Sequence, residues 1–593
     1  MRRHWSVATA LAATLLAGLL VAPAAPAAAA KYDMERRSYI VKTRAGDVYV
    51  EVVHPVKDGK IVTGPAVFTY SPYWMLGATE NFRRATDAAD WVPDGYHRVW
   101  ADVVGTGNSG GCWDYGGNRE KKSGHDLVEW IAKQKWSTGK VGMFGGSYEG
   151  TTATATAVTK PKHLTTIVPE AAISRWYGYA YSGGMRYFLN NEKPDNEGFD
   201  TPLLFDAGIA VPPPLDVDGE NWAGRFQENV TPCDEVSHIE HGYDDTPDYD
   251  KFWVERDYLR DAGKIDIPVM VAHNWGDYNV KQEEGWNLYH ALKNAPKRVL
   301  YMGDRYMGHG TPDEKYEKVR RQWMDHYLMG IDNGIDNLPS IISEGANFDK
   351  ELKYESDPKA FKTRNVRLFG QSTGRANAND YEYKLLPSKP FKTSFTEDPR
   401  YLAAGVNLES HANHHYMSNH EWTWLQTQPL KKDTRIFGEI KLKVRVSAPE
   451  REWITITPSL VDVKPACHEM VQGNHVSKPE CMPRTLYGVT RGFLDSRYRK
   501  SLAKQSTVPG GSPIDMTVVH KPVDYTFKKG HLIGLNIQSE LNEWVLSKPY
   551  PCTSEACLNV TVHLMDGKTQ LFLPIVNGPR NPRDLFVTGG HHH

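Results

Sequence analysis

At 593 residues, with 40% apolar and 24% charged side chains, the chain is long enough for two to four domains, which excludes a single small binding module as well as a disordered, collagenous or disulfide-dense protein. Seventy Lys and Arg against 72 Asp and Glu leave a formal net charge of −2 with no long run of one sign, so the electrostatic footprint of a nucleic-acid binder is missing. The aromatic content, with 17 Trp and 30 Tyr, points to some ligand-facing aromatic surface.

The chain opens with Arg2, Arg3 and His4, an Ala/Leu-rich run from Val7 to Ala22, Pro23 and Pro26, and the small residues Ala28, Ala29 and Ala30. This order predicts a secretory signal peptide over residues 1–30. The apolar run is shorter than the ~20 residues a membrane span needs. The mature protein is therefore expected to start at Lys31, to be secreted and extracellular, and to carry no membrane anchor after cleavage. Six cysteines suit an oxidising compartment. Cys467 with Cys481 and Cys552 with Cys557 can close local loops, which leaves Cys112 to pair with Cys233; no CxxC spacing supports zinc, and no metal or cofactor is expected. His591 to His593 are given no function.

From Tyr39 to about Met329, short apolar runs alternate with amphipathic stretches: Ala66 to Tyr70, His97 to Val104, Lys140 to Phe144, Thr166 to Val168, Pro268 to Ala272 and Arg298 to Met302. Such runs predict a largely parallel sheet covered on both faces. The alternation dissolves between about 181 and 264, where aromatic, acidic and Pro-rich sequence reads as an inserted cap. After about Ser343 short alternating runs such as Ile440 to Val446 and Leu532 to Ile537 predict an all-β sandwich. The expected layout is a signal over 1–30, an α/β catalytic domain over 31–345 with its cap, and a β-sandwich domain over 346–593.

The strongest chemical signal is the apolar strand Lys140 to Phe144 running through Gly145 and Gly146 into Ser147, then Tyr148, Glu149, Gly150 and a helix-compatible stretch from Thr151 to Val158. A serine on such a strand-to-helix turn presents its hydroxyl at the sheet edge, with the next backbone N–H facing a developing oxyanion. The second glycine falls one place later than in the common G-x-S-x-G. A serine nucleophile needs a base and an acid to orient it. In chain order, Asp277 follows one strand end and His309 the next; Asp304 is an alternative acid, and His273 or His125 alternative bases. Gly105 to Gly111 reads as a tight turn, since it lacks the spacing of a dinucleotide fingerprint or a P-loop. His411, His414, His415 and His420 read as surface histidines.

The elbow Gly145-Gly146-Ser147-Tyr148-Glu149-Gly150, with Trp136 to Met143 before it, resembles the G-x-S-Y-x-G of the serine hydrolases that include X-prolyl dipeptidyl-peptidases, cocaine esterase and α-amino-acid ester hydrolases. The segments Glu170 to Tyr179 and Gly276 to Lys281 are closer to the X-prolyl peptidases, and the loop from Gly303 to His309 lacks the G-P-W that the esterases carry before their histidine. Ile436 to Ile440, Gly492 to Leu494 and Phe527 to His531 resemble the family's C-terminal domain. The resemblance implies an α/β-hydrolase core with an inserted cap, followed by an all-β jelly-roll, galactose-binding-like domain. It also implies Ser147 as nucleophile, Asp277 as acid, His309 as base, Tyr73 as an oxyanion donor beside the Tyr148 N–H, and Trp176 and Tyr179 as lining of a proline pocket.

A proline at the scissile bond has no N–H to offer a β-ladder, so pockets and charge must hold such a substrate. Glu192, with Asp195, Glu197 and Asp200, supplies carboxylates for a free substrate ammonium; Glu149 and Glu170 are alternatives nearer the elbow. The expected function is a serine exopeptidase that releases Xaa-Pro dipeptides from peptides with a free N-terminus, through an acyl-enzyme. A prolyl tripeptidyl aminopeptidase and an ester or amide acylase are the competing enzymes. A binding protein on an inactive hydrolase fold is the non-enzymatic reading, against which the three triad candidates argue.

Overall fold

The computed structural model describes residues 32–73, 87–187, 247–277, 279–304 and 308–347, and between 353 and 587 all but 356–360, 370–391, 397–422, 469–470, 473–474, 477–479, 540–544, 547–552, 555–556, 558 and 564–567. The expected leader, Glu192, Cys233, Cys552 and the four histidines from His411 to His420 lie outside them.

The first domain is built on one eleven-stranded sheet. Its strands are β1 (Asp33–Thr43), β2 (Gly46–Lys57), β3 (Lys60–Ile61), β4 (Gly64–Ser71), β5 (His97–Asp102), β6 (Ser137–Gly146), β7 (Leu164–Glu170), β10 (Val269–Asn274), β11 (Arg298–Gly303), β12 (Ile341–Ser343) and β13 (Lys353–Glu355), while β8 (Tyr181–Ser182) and β9 (Met185–Tyr187) form a separate small hairpin. The order is β1-β2-β5-β4-β6-β7-β10-β11-β12-β13, with β3 on β2. Pairing is parallel from β5 across to β12 and antiparallel at the two margins. Every residue of β4 and β5 is buried, as parallel strands covered on both faces require. Each of the six apolar runs read from the sequence supplies one of these strands, with Val103, Val104 and Pro268 falling just outside. The sheet continues to Glu355, past the expected boundary at 345, because β12 joins it after β11 and β13 turns back on β12.

Two helices set the nucleophile's surroundings. In α1 (Asn118–Ala132) the residues Glu120, Ser123, Gly124, Leu127, Val128 and Ile131 are buried, a stripe at helical spacing. In α2 (Tyr148–Ala157) every residue is buried, and from Gly150 onward all of them are small, which lets the helix sit between the sheet and its neighbouring helix. Gly124 lets the two approach: a Cβ there would lie 2.2 Å from Thr156 Oγ1. Three of the four buried threonine hydroxyls of α2 are returned to backbone carbonyls, Thr151 to Ser147 at 3.0 Å, Thr152 to Tyr70 at 2.6 Å and Thr154 to Gly150 at 3.1 Å. The Gly105 to Gly111 segment is a tight turn, with Gly105 at φ +81° and a Cβ there only 2.0 Å from the Trp113 nitrogen.

The second domain is all β, as the alternating runs predict. An eight-stranded antiparallel sheet and a four-stranded one share its core. The strand Lys441–Ser447 buries Leu442, Val444 and Val446 and exposes Lys441 and Lys443, the one-sided pattern of antiparallel sheets. Buried contacts tie it to the first domain. Val545 pairs with Tyr187 of β9. Asp524, completely buried, accepts from Arg435 Nε at 2.7 Å and from Ser343 Oγ at 2.8 Å, while Trp275 Nε1 donates to that same hydroxyl at 3.0 Å. Cys112 and Cys557 each belong to a disulfide, and Cys467 stands opposite Cys481 in register. No helix of the described residues is long and apolar enough to cross a membrane.

Candidate active site

Tyr73, Ser147, Asp277 and His309 lie in loops after the carboxyl ends of β4, β6, β10 and β11, where open parallel sheets place their sites. Ser147 is the cap of α2 and adopts φ 59°, ψ −124°, a conformation costing a non-glycine residue on the order of 1–3 kcal/mol. The helix begins at Tyr148, three residues earlier than the sequence suggests, because this turn passes directly into it. Two of the three glycines around it are steric necessities. A Cβ on Gly145 would lie 2.4 Å from that of Glu149, and one on Gly150 would lie 2.6 Å from the Gly145 oxygen and 2.8 Å from the Glu170 nitrogen, whereas nothing lies within 4 Å of one on Gly146. The displaced glycine is thus fixed by contact between the elbow, α2 and β7.

A tyrosine hydroxyl links Ser147 to the backbone that follows it. The Tyr73 hydroxyl donates to Ser147 Oγ at 3.0 Å and accepts from the Tyr148 N–H at 3.1 Å. The Tyr148 side chain runs the other way, into the core, where its hydroxyl donates to Glu120 at 2.7 Å and accepts from Trp113 Nε1 at 3.1 Å. Burial, then the neighbouring Asp114, pushes the Glu120 carboxyl up to about 8.

His309 Nδ1 bonds Asp277 Oδ2 at 2.9 Å. Asp277 is buried, and burial alone would raise its pKa; hydrogen bonds from His273 and His309 overcome this and hold it below the ordinary carboxylate range. The Asn279 N–H adds a third donor at 2.9 Å. His273, an alternative base by sequence, is fully buried behind Asp277, with Nε2 donating to the Val280 carbonyl at 2.7 Å. His125 bonds Thr159 at 3.0 Å on the far side of α1. The side chain of Asn274, the last residue of β10, donates to the carbonyls of Gly308 at 3.2 Å and Gly310 at 3.0 Å, gripping the His309 loop on both sides. Sequence reasoning missed this clamp, although Asn274 lies between two residues it weighed. Among the described residues His309 and Ser147 share no hydrogen bond; such contacts commonly tighten only when substrate is bound.

Trp176 and Tyr179 lie on the short helix α3 (Trp176–Ala180), both buried. Trp176 packs edge-on against Tyr148 at 5.1 Å and against Tyr179 at 6.0 Å between ring centres. The Tyr179 hydroxyl donates to Asn279 Oδ1 at 2.9 Å, which connects this aromatic wall to the Asp277 loop. Glu170 does not have a free carboxylate: Tyr316 donates to it at 2.6 Å and Arg320 at 2.9 Å, both from α4 (Glu314–Met324). The reading of Glu170 as an ammonium anchor is corrected accordingly. Glu192 lies outside the described residues.

The family model described as X-Pro dipeptidyl-peptidase (S15 family) matches residues 47–309, and that of the X-Pro dipeptidyl-peptidase C-terminal non-catalytic domain matches 333–564. A Bacillus anthracis protein provisionally named Xaa-Pro dipeptidyl-peptidase is 30% identical over 512 residues, 82% of this chain and 74% of that one. The chain belongs to the S15 family. It is a serine hydrolase. Its fold is shared by a CocE/NonD family hydrolase from Staphylococcus aureus, at 17% identity with TM-score 0.67 over 91% of this chain and 94% of that one. An α-amino acid ester hydrolase shares it at 16% identity with TM-score 0.62, over 95% of this chain and 100% of the other.

The elbow contacts give an expected outcome for the S15 chain. Gly150→Ala should lower stability by about 1–3 kcal/mol and cut turnover, because backbone atoms on both sides must move. Gly146→Ala should leave stability within about 0.5 kcal/mol. Thermal melts of both variants check this, and equal losses would refute the steric account.

Proposed function

We propose that the chain is a secreted serine exopeptidase that removes Xaa-Pro dipeptides from peptide N-termini through an acyl-enzyme on Ser147. The observation that carries this reading is the Tyr73 hydroxyl bridging Ser147 Oγ and the Tyr148 N–H, with His309 held by Asp277 on neighbouring strand ends. The S15 family's description supports the substrate class.

In the proposed cycle Ser147 Oγ attacks the carbonyl carbon of the proline as His309 takes its proton. The oxyanion then draws the Tyr73 hydroxyl and the Tyr148 N–H away from their resting bond to each other. Collapse breaks the C–N bond, and His309 returns the proton to the leaving amine. Water, deprotonated by His309, releases the dipeptide and restores Ser147. Asp277 stays ionised throughout, fixing the imidazole tautomer. The ring faces of Trp176 and Tyr179 are assigned to the flat pyrrolidine. With Glu170 committed to Arg320, the substrate ammonium falls to Glu192 and its acidic neighbours or to Glu149.

Ser147→Ala, His309→Ala and Asp277→Asn should each abolish most turnover of Ala-Pro-p-nitroanilide in folded protein, leaving about 10³ to 10⁴-fold over water. Near-normal rates for Asp277→Asn with loss for Asp304→Asn would move the acid to Asp304.

Blocking the substrate amine should lower kcat/KM by at least about 30-fold, since removing one partner of a desolvated ammonium–carboxylate pair costs about 2 kcal/mol or more. Equal turnover of N-acetyl-Ala-Pro-p-nitroanilide, or far better turnover of simple esters, would replace the exopeptidase with an acylase. An Ala-Ala-Pro anilide cleaved in preference would shift the assignment to tripeptide release.

For the secreted protein we also propose the pairings Cys112–Cys233, Cys467–Cys481 and Cys552–Cys557, the first tying the core to the cap. Peptide mapping without reduction should return these three linked peptides, and free thiol at Cys233 would remove the tether.

A further inference from the structure

Behind the Asp277 loop lies a buried charged seam that the proposed cycle leaves unused. Lys281 is fully buried, and its Nζ has no hydrogen-bond partner among the described residues. It lies 3.9 Å from the ring centre of Tyr187 and 5.3 Å from that of Tyr179. The other face of the seam belongs to the β-sandwich. Lys521 places its ammonium 4.4 Å from the centre of the same Tyr187 ring, donates to the Tyr187 hydroxyl, and pairs with Glu283 at 2.5 Å. Tyr187 also donates to Glu283 at 2.8 Å. One tyrosine ring therefore holds two ammoniums, one from each domain.

An ammonium out of water without an acceptor is costly, and an apolar side chain of similar volume at such a site is commonly neutral or stabilising. Retaining Lys281 is therefore hard to explain by folding alone. Its contacts offer another account, because the second ring it faces, Tyr179, is the one bonded to Asn279 and packed on Trp176. Burial, then Lys521, lowers the Lys281 pKa to about 7, while Glu283, Asp277 and Glu284 oppose this.

We propose that Lys281 is a positioning residue for the aromatic wall of the substrate pocket, and that the β-sandwich takes part in substrate binding by holding Tyr187 against it through Lys521. This rests on the assignment of Tyr179 to the pocket in the preceding section. Loss of either ammonium frees the rings to shift, which weakens substrate binding more than it slows the chemistry at Ser147.

The test uses the full chain with Lys281→Met, Lys521→Met and the double variant. Steady-state kinetics on Ala-Pro-p-nitroanilide and on p-nitrophenyl acetate are read beside melting temperature and the rate at which a fluorophosphonate labels Ser147. For Lys281→Met the expected result is an unchanged or higher Tm, labelling within about threefold of wild type, and a KM for the anilide raised by about tenfold with kcat changed less, the size of a desolvated cation–π contact. Lys521→Met should move KM the same way, and the double variant should be no worse than the larger single one, as expected of residues acting through one ring. A KM within twofold of wild type for Lys281→Met overturns the positioning role. Additive effects in the double variant overturn the part given to the β-sandwich. If wild type ignores the anilide, the dipeptidyl-peptidase reading fails by itself, and the same KM comparison on the ester decides the proposal. Should Lys521→Met not fold, Glu283→Gln, which removes the carboxylate holding Lys521, takes its place with the same expected outcome.

Discussion

A carboxylate taken out of water must be met by donors, and Asp277 is the group on which this site's geometry depends. Its three partners come from distinct places: His309 from the loop after β11, His273 from within β10, and the Asn279 N–H from the loop that Asp277 itself begins. Satisfying the anion therefore fixes two loops relative to one strand. Asn274 completes the arrangement by holding Gly308 and Gly310 from the end of that strand. The imidazole is positioned by hydrogen bonds on both sides of its loop as well as by its acid.

Tyr148 shows how the nucleophile's own surroundings are shared between backbone and side chain. Its N–H faces Tyr73 above the sheet, while its ring descends to Trp113 and Glu120 on the α1 side. The residue after the nucleophile is thus pinned at its hydroxyl, which limits how far the N–H can drift. A serine held at positive φ needs this kind of over-determination, because the turn is not a minimum for the isolated residue.

Much of this was legible in the amino-acid order. Apolar runs as long as β4 or β10 leave few choices other than a covered parallel sheet, and Gly145 and Gly150 around Ser147 announce a turn that side chains there would obstruct. The alternation of Lys441 to Ser447 likewise identifies a sheet wet on one face. The pairing of His309 with Asp277 rather than with another acid is a fact of three dimensions, and so is the capture of Glu170 by Tyr316 and Arg320. A glutamate near an elbow looks available until the helix that neutralises it is placed beside it. The clamp by Asn274 and the Lys281 seam were equally hidden, since single polar residues carry no periodicity.

The pairing of Tyr187 with Val545 joins positions separated by 545 − 187 = 358 residues. Such a contact cannot form on the ribosome until residue 545 has emerged, and loop closure over this span comes late in any folding order dominated by local contacts. Until then β9 is a bare strand edge, open to pairing with another chain. The first domain can thus build its sheet early from neighbouring βα units, while the hairpin that adjoins its catalytic loops waits for a strand of the second domain to arrive.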